Sequence, residues 1–187
     1  MASSLFILGG VRSGKSRFAL AGLPPRGRVA FVATAEASDA DMADRIARHQ
    51  AQRPPHWTTI EASSDLVHRL KEAQRGVETV VVDCLTLWVA NLLLRGEEDE
   101  AILGEAAALA ALVAVPSVDL RIVSNEVGLG VHPTTPAGLQ FGNILGLVNQ
   151  RVAAAAQRVV LLVAGLPLLV KDTPPERPVY APTHEAP

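Results

Sequence analysis

The segment Gly9-Gly10-Val11-Arg12-Ser13-Gly14-Lys15-Ser16 has the spacing G-x-x-x-x-G-K-[ST], a set of residue types suited to holding a triphosphate. A glycine turn running into a helix aims several backbone N–H groups and the positive end of the helix dipole at one point. Lys15 is placed to reach the β- and γ-phosphates, and the Ser16 hydroxyl to ligate magnesium. A glycine turn with a stray lysine is the alternative. The flanks argue against it: Leu5-Phe6-Ile7-Leu8 is a short apolar run of strand type, and Arg17-Phe18-Ala19-Leu20-Ala21 continues as helix.

Two acids stand where such a loop needs partners. Asp83 ends the run Thr79-Val80-Val81-Val82, the position from which a carboxylate holds magnesium through water. By itself a strand-ending Asp is as often a helix N-cap. Asn125-Glu126-Val127-Gly128-Leu129-Gly130 follows another apolar strand, and ligands of open parallel sheets bind at the carboxyl ends of strands. Glu126 can then serve as a general base or a further magnesium contact; a turn with a capping polar pair is the other reading.

A third cluster lies downstream of the loop. Met42, Ile46 and His49 fall at i, i+4 and i+7 of an amphipathic segment, Ser38–Gln50, with Ser38 as its N-cap and Asp41 three positions later. Arg45 and Arg48 flank the imidazole, and Arg53-Pro54-Pro55-His56-Trp57 follows. Guanidinium groups there can bind a triphosphate while the imidazole faces its α-phosphorus. Spacing alone favours the blander reading, a half-buried histidine beside solvated arginines. His56, His68, His132 and His184 offer no comparable setting, and no His/Asp/Glu group has metal-ligand spacing.

The elements that must position these groups alternate in type. Strand-like apolar runs recur at Leu5–Leu8, Val29–Ala33, Thr79–Val82, Leu120–Val123 and Val159–Ala164, with weaker ones at Thr58–Ile60 and Leu168–Lys171. Continuous apolar strands separated by helical stretches predict a parallel sheet covered on both faces. A helix is expected over Ala137–Gln157, with Leu139, Leu145, Val148 and Val152 on its apolar stripe. Another is expected over 101–114, its start favoured by Glu97-Glu98-Asp99-Glu100. Aromatics make up only 4% of the 187 residues, so the core must be Ala, Val and Leu. A net charge of −2 gives no electrostatic case for nucleic acid. The single Cys84 rules out an intrachain disulfide and suits a reducing cytosol. No signal peptide is expected, and the longest apolar run, Val159 to Val170, is broken by Gly165 and Pro167 and too short to span a bilayer. The expected class is α/β: a P-loop NTPase-type, mostly parallel sheet with helices on both faces, one domain over 1–171. Residues 172–187 read as an extended or disordered Pro-rich tail.

Taken in order, the P-loop, Ala33-Thr34-Ala35, Arg45-Ile46-Ala47-Arg48-His49, Arg53-Pro54-Pro55-His56-Trp57, Val82 to Asn91, Ser124 to Gly130 and Val148-Asn149-Gln150-Arg151 closely resemble the bifunctional adenosylcobinamide kinase / adenosylcobinamide-phosphate guanylyltransferase family of cobalamin biosynthesis. The resemblance covers residues 5 to about 171. It implies that a nucleoside triphosphate, ATP or GTP, phosphorylates adenosylcobinamide with Mg2+. GTP then donates GMP to that phosphate through a guanylylated histidine, and His49 occupies that position. It implies catalytic roles for His49, Lys15 and Glu126, and magnesium ligation by Ser16 and Asp83. Nucleotide contacts are implied at residues 9–16, Thr34, Ala35, Glu36, Arg45, Arg53, Glu61 and Asp83. It further implies a cytoplasmic homotrimer that binds no nucleic acid and has no membrane span. One departure stands out: Gly138-Leu139-Gln140-Phe141-Gly142-Asn143 replaces the family's charged Arg-x-Phe-Arg-Asp run. Two alternatives follow, an enzyme that keeps one activity, or a nucleotide-gated interaction module with the tail as docking peptide.

Overall fold

Strands that are apolar at every position must bury both of their faces, and the computed structural model does this with two unequal helical layers. It describes residues 2–37, 40–51, 53–130 and 132–172; the side chains of Asp41, Arg45 and His49 also lie outside the described set. In chain order the elements are β1 (Ser3–Gly9), α1 (Lys15–Leu20), β2 (Val29–Ala33), α2 (Ala40–Ala51), β3 (Thr58–Glu61), α3 (Leu66–Ala73), β4 (Thr79–Asp83), α4 (Leu85–Leu94), α5 (Asp99–Ala114), β5 (Asp119–Val123), α6 (Pro136–Ala155), β6 (Arg158–Val163) and β7 (Leu166–Asp172). One seven-stranded sheet has the order β3-β2-β4-β5-β1-β6-β7. All pairings are parallel except β6 with β7.

The pleat divides each strand between the layers. Val80 and Val82 join the larger core with Leu66, Leu70, Trp88, Leu109, Leu145 and Val148, supplied by α3, α4, α5 and α6. Val81, one residue out of phase, joins Ile7, Ala19, Phe31 and Val123 under α1. Trp88 is fully buried, and its indole N–H donates to Ser64 O at 3.0 Å, so the largest side chain in the core keeps its one donor satisfied.

All seven expected strands are present, and the differences lie mostly at ends. β6 stops at Val163, not Ala164, because Ala164 and Gly165 have φ of 51° and 84°, the paired positive values of a two-residue hairpin turn. α1 begins at Lys15, before the expected Arg17. α5 begins at Asp99, with Asp99 and Glu100 in its first turn and no side-chain cap, so the acids act on the dipole only. α6 starts one residue early, with Pro136 in its first turn and the Thr135 hydroxyl accepting from Gly138 N, and ends at Ala155 rather than Gln157. Its stripe is Ile144, Leu145, Val148 and Val152; Leu139, expected on it, is 37% exposed. The expected N-cap Ser38 lies outside the described residues, as do residues 173–187 of the tail. Asp172, placed in that tail, instead ends β7 and pairs with Arg158 at 3.0 Å.

Candidate active site

Parallel strands put their carboxyl ends on one rim, so residues far apart in the chain converge there. Register levels Asp83 of β4 with Val123 of β5, and Val123 with Ile7 of β1. Two residues further on, Asn125 therefore stands beside Gly9, and Glu126 N donates to Gly9 O at 3.1 Å. A cavity of about 820 Å³ opens here, lined by the P-loop with Lys15 and Ser16, by Asp83 and Cys84, by Asn125, and by Arg17 and Arg48.

The loop's shape depends on its glycines at two points. A Cβ on Gly9 would lie 2.6 Å from Ser13 Oγ and 2.7 Å from Leu162 O, distances no real side chain tolerates. Gly14 precedes α1 at φ 95°, a left-handed conformation that turns the chain into the helix. Arg12 is held at φ 56° as well. The β6–β7 turn braces the loop from outside, Gly165 N donating to Ser13 O at 3.0 Å. Lys15 is buried, and its ammonium donates to Gly10 O at 2.7 Å across the loop. Burial lowers its pKa from the ordinary value, while Cys84 and Asp83 act in the opposite direction.

Asp83 lines this cavity. A second, smaller cavity of about 90 Å³ adjoins it, shared by Ser16, Asp83 and Cys84 with Ala35, Arg53 and Glu61. The Arg53 guanidinium lies 3.6 Å from the Phe31 ring centroid and donates to Thr59 Oγ1 at 3.2 Å. Burial lowers the Arg53 pKa, opposed by the charge of Asp83. Ser16, Asp83, Arg53, Ala35 and Glu61 thus line one cavity.

Three expected contacts are placed otherwise. Thr34 is fully buried; its hydroxyl donates to Cys84 O at 2.7 Å and accepts from Cys84 N at 2.8 Å, so it latches the bend after Asp83. Glu36 pairs with Arg95, next to Ser63, and is absent from the described lining of both cavities. A hydrogen bond with the Ser63 side chain, then the one from Arg95, lowers its carboxyl pKa from the ordinary value. Glu126 turns its carboxylate back to accept from Gly128 N at 3.3 Å and is likewise absent from the described lining. Its neighbour Asn125 lines the cavity instead.

On the other side, α2 lays Met42 and Ile46, on one face as their spacing predicted, over the smaller cavity, and Arg48 reaches the larger one. The Arg48 Nε–H donates to Asp44 O at 3.2 Å. His49 and Arg45 belong to α2 by backbone, while their side chains lie outside the described residues. Among the described residues no group of three or more His, Cys, Asp or Glu is gathered to hold a metal by itself. Ser16 and Asp83 on one cavity suit a cation that arrives with phosphate oxygens as its other ligands.

Sequence reasoning missed the brace from Gly165, the latch of Thr34 on Cys84, and Asn91, whose amide donates to Thr34 O at 2.8 Å and Ser63 O at 3.1 Å. The Ala164-Gly165 pair between two apolar runs was the one available signal, a hairpin-turn composition.

A family model described as cobinamide kinase / cobinamide phosphate guanyltransferase matches residues 5–170. The chain is 40% identical over 169 residues to the bifunctional adenosylcobalamin biosynthesis protein CobP of Pseudomonas aeruginosa, a match covering 90% of this chain and 97% of that one. It is 35% identical over 179 residues to the bifunctional adenosylcobalamin biosynthesis protein CobU of Escherichia coli, covering 89% and 99%. Among solved structures, a prototypical ATPase from a bacterial type III secretion system superposes with a TM-score of 0.50 at 14% identity, covering 86% of this chain and 51% of that one, a likeness of fold alone.

Proposed function

The chain belongs to the cobinamide kinase / cobinamide phosphate guanyltransferase family, and from that premise we propose that one nucleotide site serves both reactions. The observation that carries this is the shared cavity: the P-loop, Asp83 and Arg48 of the His49-bearing helix all line it. In the first reaction a cobinamide hydroxyl oxygen bonds to the γ-phosphorus of ATP or GTP. The bond to the β,γ-bridging oxygen breaks, the nucleoside diphosphate leaves with the electron pair, and the hydroxyl proton passes to water. Lys15 and the loop N–H groups bind the oxygens on which charge develops. Ser16 and Asp83 would hold Mg2+, which supplies charge neutralisation at the phosphates.

In the second reaction the neutral His49 imidazole attacks the α-phosphorus of GTP, forming a P–N bond as the α,β-bridging bond breaks and pyrophosphate leaves. An oxygen of the cobinamide phosphate then attacks the same phosphorus, breaking the P–N bond and returning the imidazole. Arg48 at the cavity and Arg45 on the same helix would bind phosphate, and Arg53 and Glu61 line the smaller cavity beside Asp83.

Incubation with α-labelled GTP tests this. Wild-type protein is expected to take up acid-labile, alkali-stable label, and His49→Ala to take up none while still phosphorylating cobinamide. Label persisting in His49→Ala removes the nucleophile from the scheme. We further propose a homotrimer, supported by the edge strand β7, which exposes Leu166, Leu168, Leu169 and Val170. A cytoplasmic location fits the lone free thiol. Among the described residues no helix is long and apolar enough to cross a membrane.

A further inference from the structure

Asn125 and Glu126 are adjacent at the end of β5, yet only Asn125 meets the cavity that holds Lys15, Ser16 and Asp83. β5 is the strand inserted between β1, which carries the P-loop, and β4, which carries Asp83. A side chain leaving its carboxyl end therefore stands between the phosphate-binding loop and the magnesium-side acid. The Asn125 backbone is pinned at both ends: its N–H donates to Thr86 Oγ1 at 2.8 Å, and its C=O accepts from Asn149 Nδ2 at 3.0 Å. Both partners are buried, Thr86 on α4 and Asn149 on α6. Its side-chain amide, in contrast, makes no hydrogen bond among the described residues. Two buried polar side chains are spent on fixing a backbone whose amide is left unengaged at the cavity wall. That is the arrangement of a preorganised donor, oriented in advance for charge that develops later.

We propose that Asn125 is a catalytic residue of the phosphoryl-transfer step, its amide donating to an oxygen of the γ-phosphoryl group as that group passes from the β,γ-bridging oxygen to the substrate hydroxyl. Thr86 and Asn149 are its positioning residues. This rests on the reading that the rim carries out phosphoryl transfer. The α-phosphorus reaction on the α2 side does not use Asn125.

The test measures cobinamide phosphorylation, nucleotide KM and label uptake from α-labelled GTP in parallel. Asn125→Ala is expected to lower the kinase kcat about a hundredfold, with nucleotide KM and label uptake within about threefold of wild type. Thr86→Val is expected to lower kcat about tenfold, and Thr86→Ser, which keeps the hydroxyl, to restore it. If Thr86 works through Asn125, adding Thr86→Val to Asn125→Ala costs nothing more. Asn125→Asp keeps the shape and sets a carboxylate against phosphate oxygens; it is expected to be at least as slow, and stands in should the alanine variant fail to fold. A folded Asn125→Ala or Asn125→Asp with wild-type kcat overturns the proposal, and a fully multiplicative Thr86 effect overturns the clamp. Wild-type protein that phosphorylates no cobinamide overturns the proposed function instead. Hydrolysis of the γ-phosphate by water then reads the same rim, and an unchanged rate in Asn125→Ala overturns the role given to Asn125.

Discussion

The rim around the P-loop and the helix α2 face the same nucleotide-sized cavity but are built in opposite ways. On the rim Lys15 is buried, Thr34 and Asn91 lock the turn after Asp83, Gly165 braces Ser13, and Thr86 and Asn149 pin Asn125. On α2 none of the described side chains is fully buried; Met42 and Ile46 are half-buried and the others are exposed. A group that must stabilise a loose phosphoryl transition state gains from being immobile before the substrate arrives. In the proposed scheme the histidine of α2 accepts a nucleotidyl group and hands it to a second, bulky substrate, and that step needs room around it instead. The contrast suggests that one site keeps its two chemistries apart by stiffness as well as by which phosphorus each reaches.

The largest effect that can break this contrast is at Lys15. In the proposed scheme Lys15→Met removes a charge used by both the γ- and α-phosphorus reactions, so both rates should fall about a thousandfold together. A loss confined to the kinase would show that the α2 side holds its triphosphate without the P-loop. Smaller by an order of magnitude is the effect expected at Cys84, on the rim beside Asp83. Burial, then the Asp83 charge, pushes its thiol from the ordinary 9.0 up to about 11. The thiolate is the reactive form, and at pH 8, below both values, its fraction is about a hundredfold lower in the native protein than in the unfolded chain. Alkylation by iodoacetamide should be slower by at least that factor and should rise tenfold per pH unit until pH 11. A native rate equal to the unfolded one would mean that the rim opens freely and is not the stiff member of the pair.

Ile46→Ser probes the other member of the pair. It removes one of two apolar anchors under α2, at a cost of about 1 kcal/mol, or roughly 2–4 °C in Tm for a chain of this size. Guanylyl labelling should drop several-fold while cobinamide phosphorylation stays near wild type. Equal losses in both activities would show that α2 and the rim move as one body.

The same contrast governs what the chain made legible. Phosphate-binding glycines, a strand-ending acid and continuous apolar runs are local patterns, and the rim's position follows from them because parallel strands share a carboxyl edge. The three contacts that the structure places otherwise all concern side-chain direction. Thr34, Glu36 and Glu126 lie on the correct loops, but whether a side chain turns to the ligand or to its own backbone is decided by partners distant in sequence. Thr34 meets Cys84 fifty residues on, and Glu36 meets Arg95 fifty-nine residues on. Asn149 was visible only as one letter of a motif; its bond to Asn125 O depends on how α6 lies against β5.

The smallest effect predicted is also the sharpest, because it sets two neighbouring residues against each other. Glu126 has the chemistry of a general base, and by type alone it outranks an asparagine. Its carboxylate is instead committed to Gly128 N, the bond of a side chain that shapes its own loop, and its main chain continues the ladder onto Gly9. Glu126→Gln keeps an oxygen to accept that bond and deletes only the charge. Kinase kcat should therefore change by no more than about twofold, as expected for a substitution outside a charged or packed network. Any acid limb in the wild-type pH profile of kcat should be the same in Glu126→Gln, because no carboxylate at 126 takes the proton in transfer. If that limb vanishes or kcat falls by orders of magnitude, Glu126 is the base, its loop must swing to bring it to the cavity, and the stiffness assigned to the rim ends at Asn125.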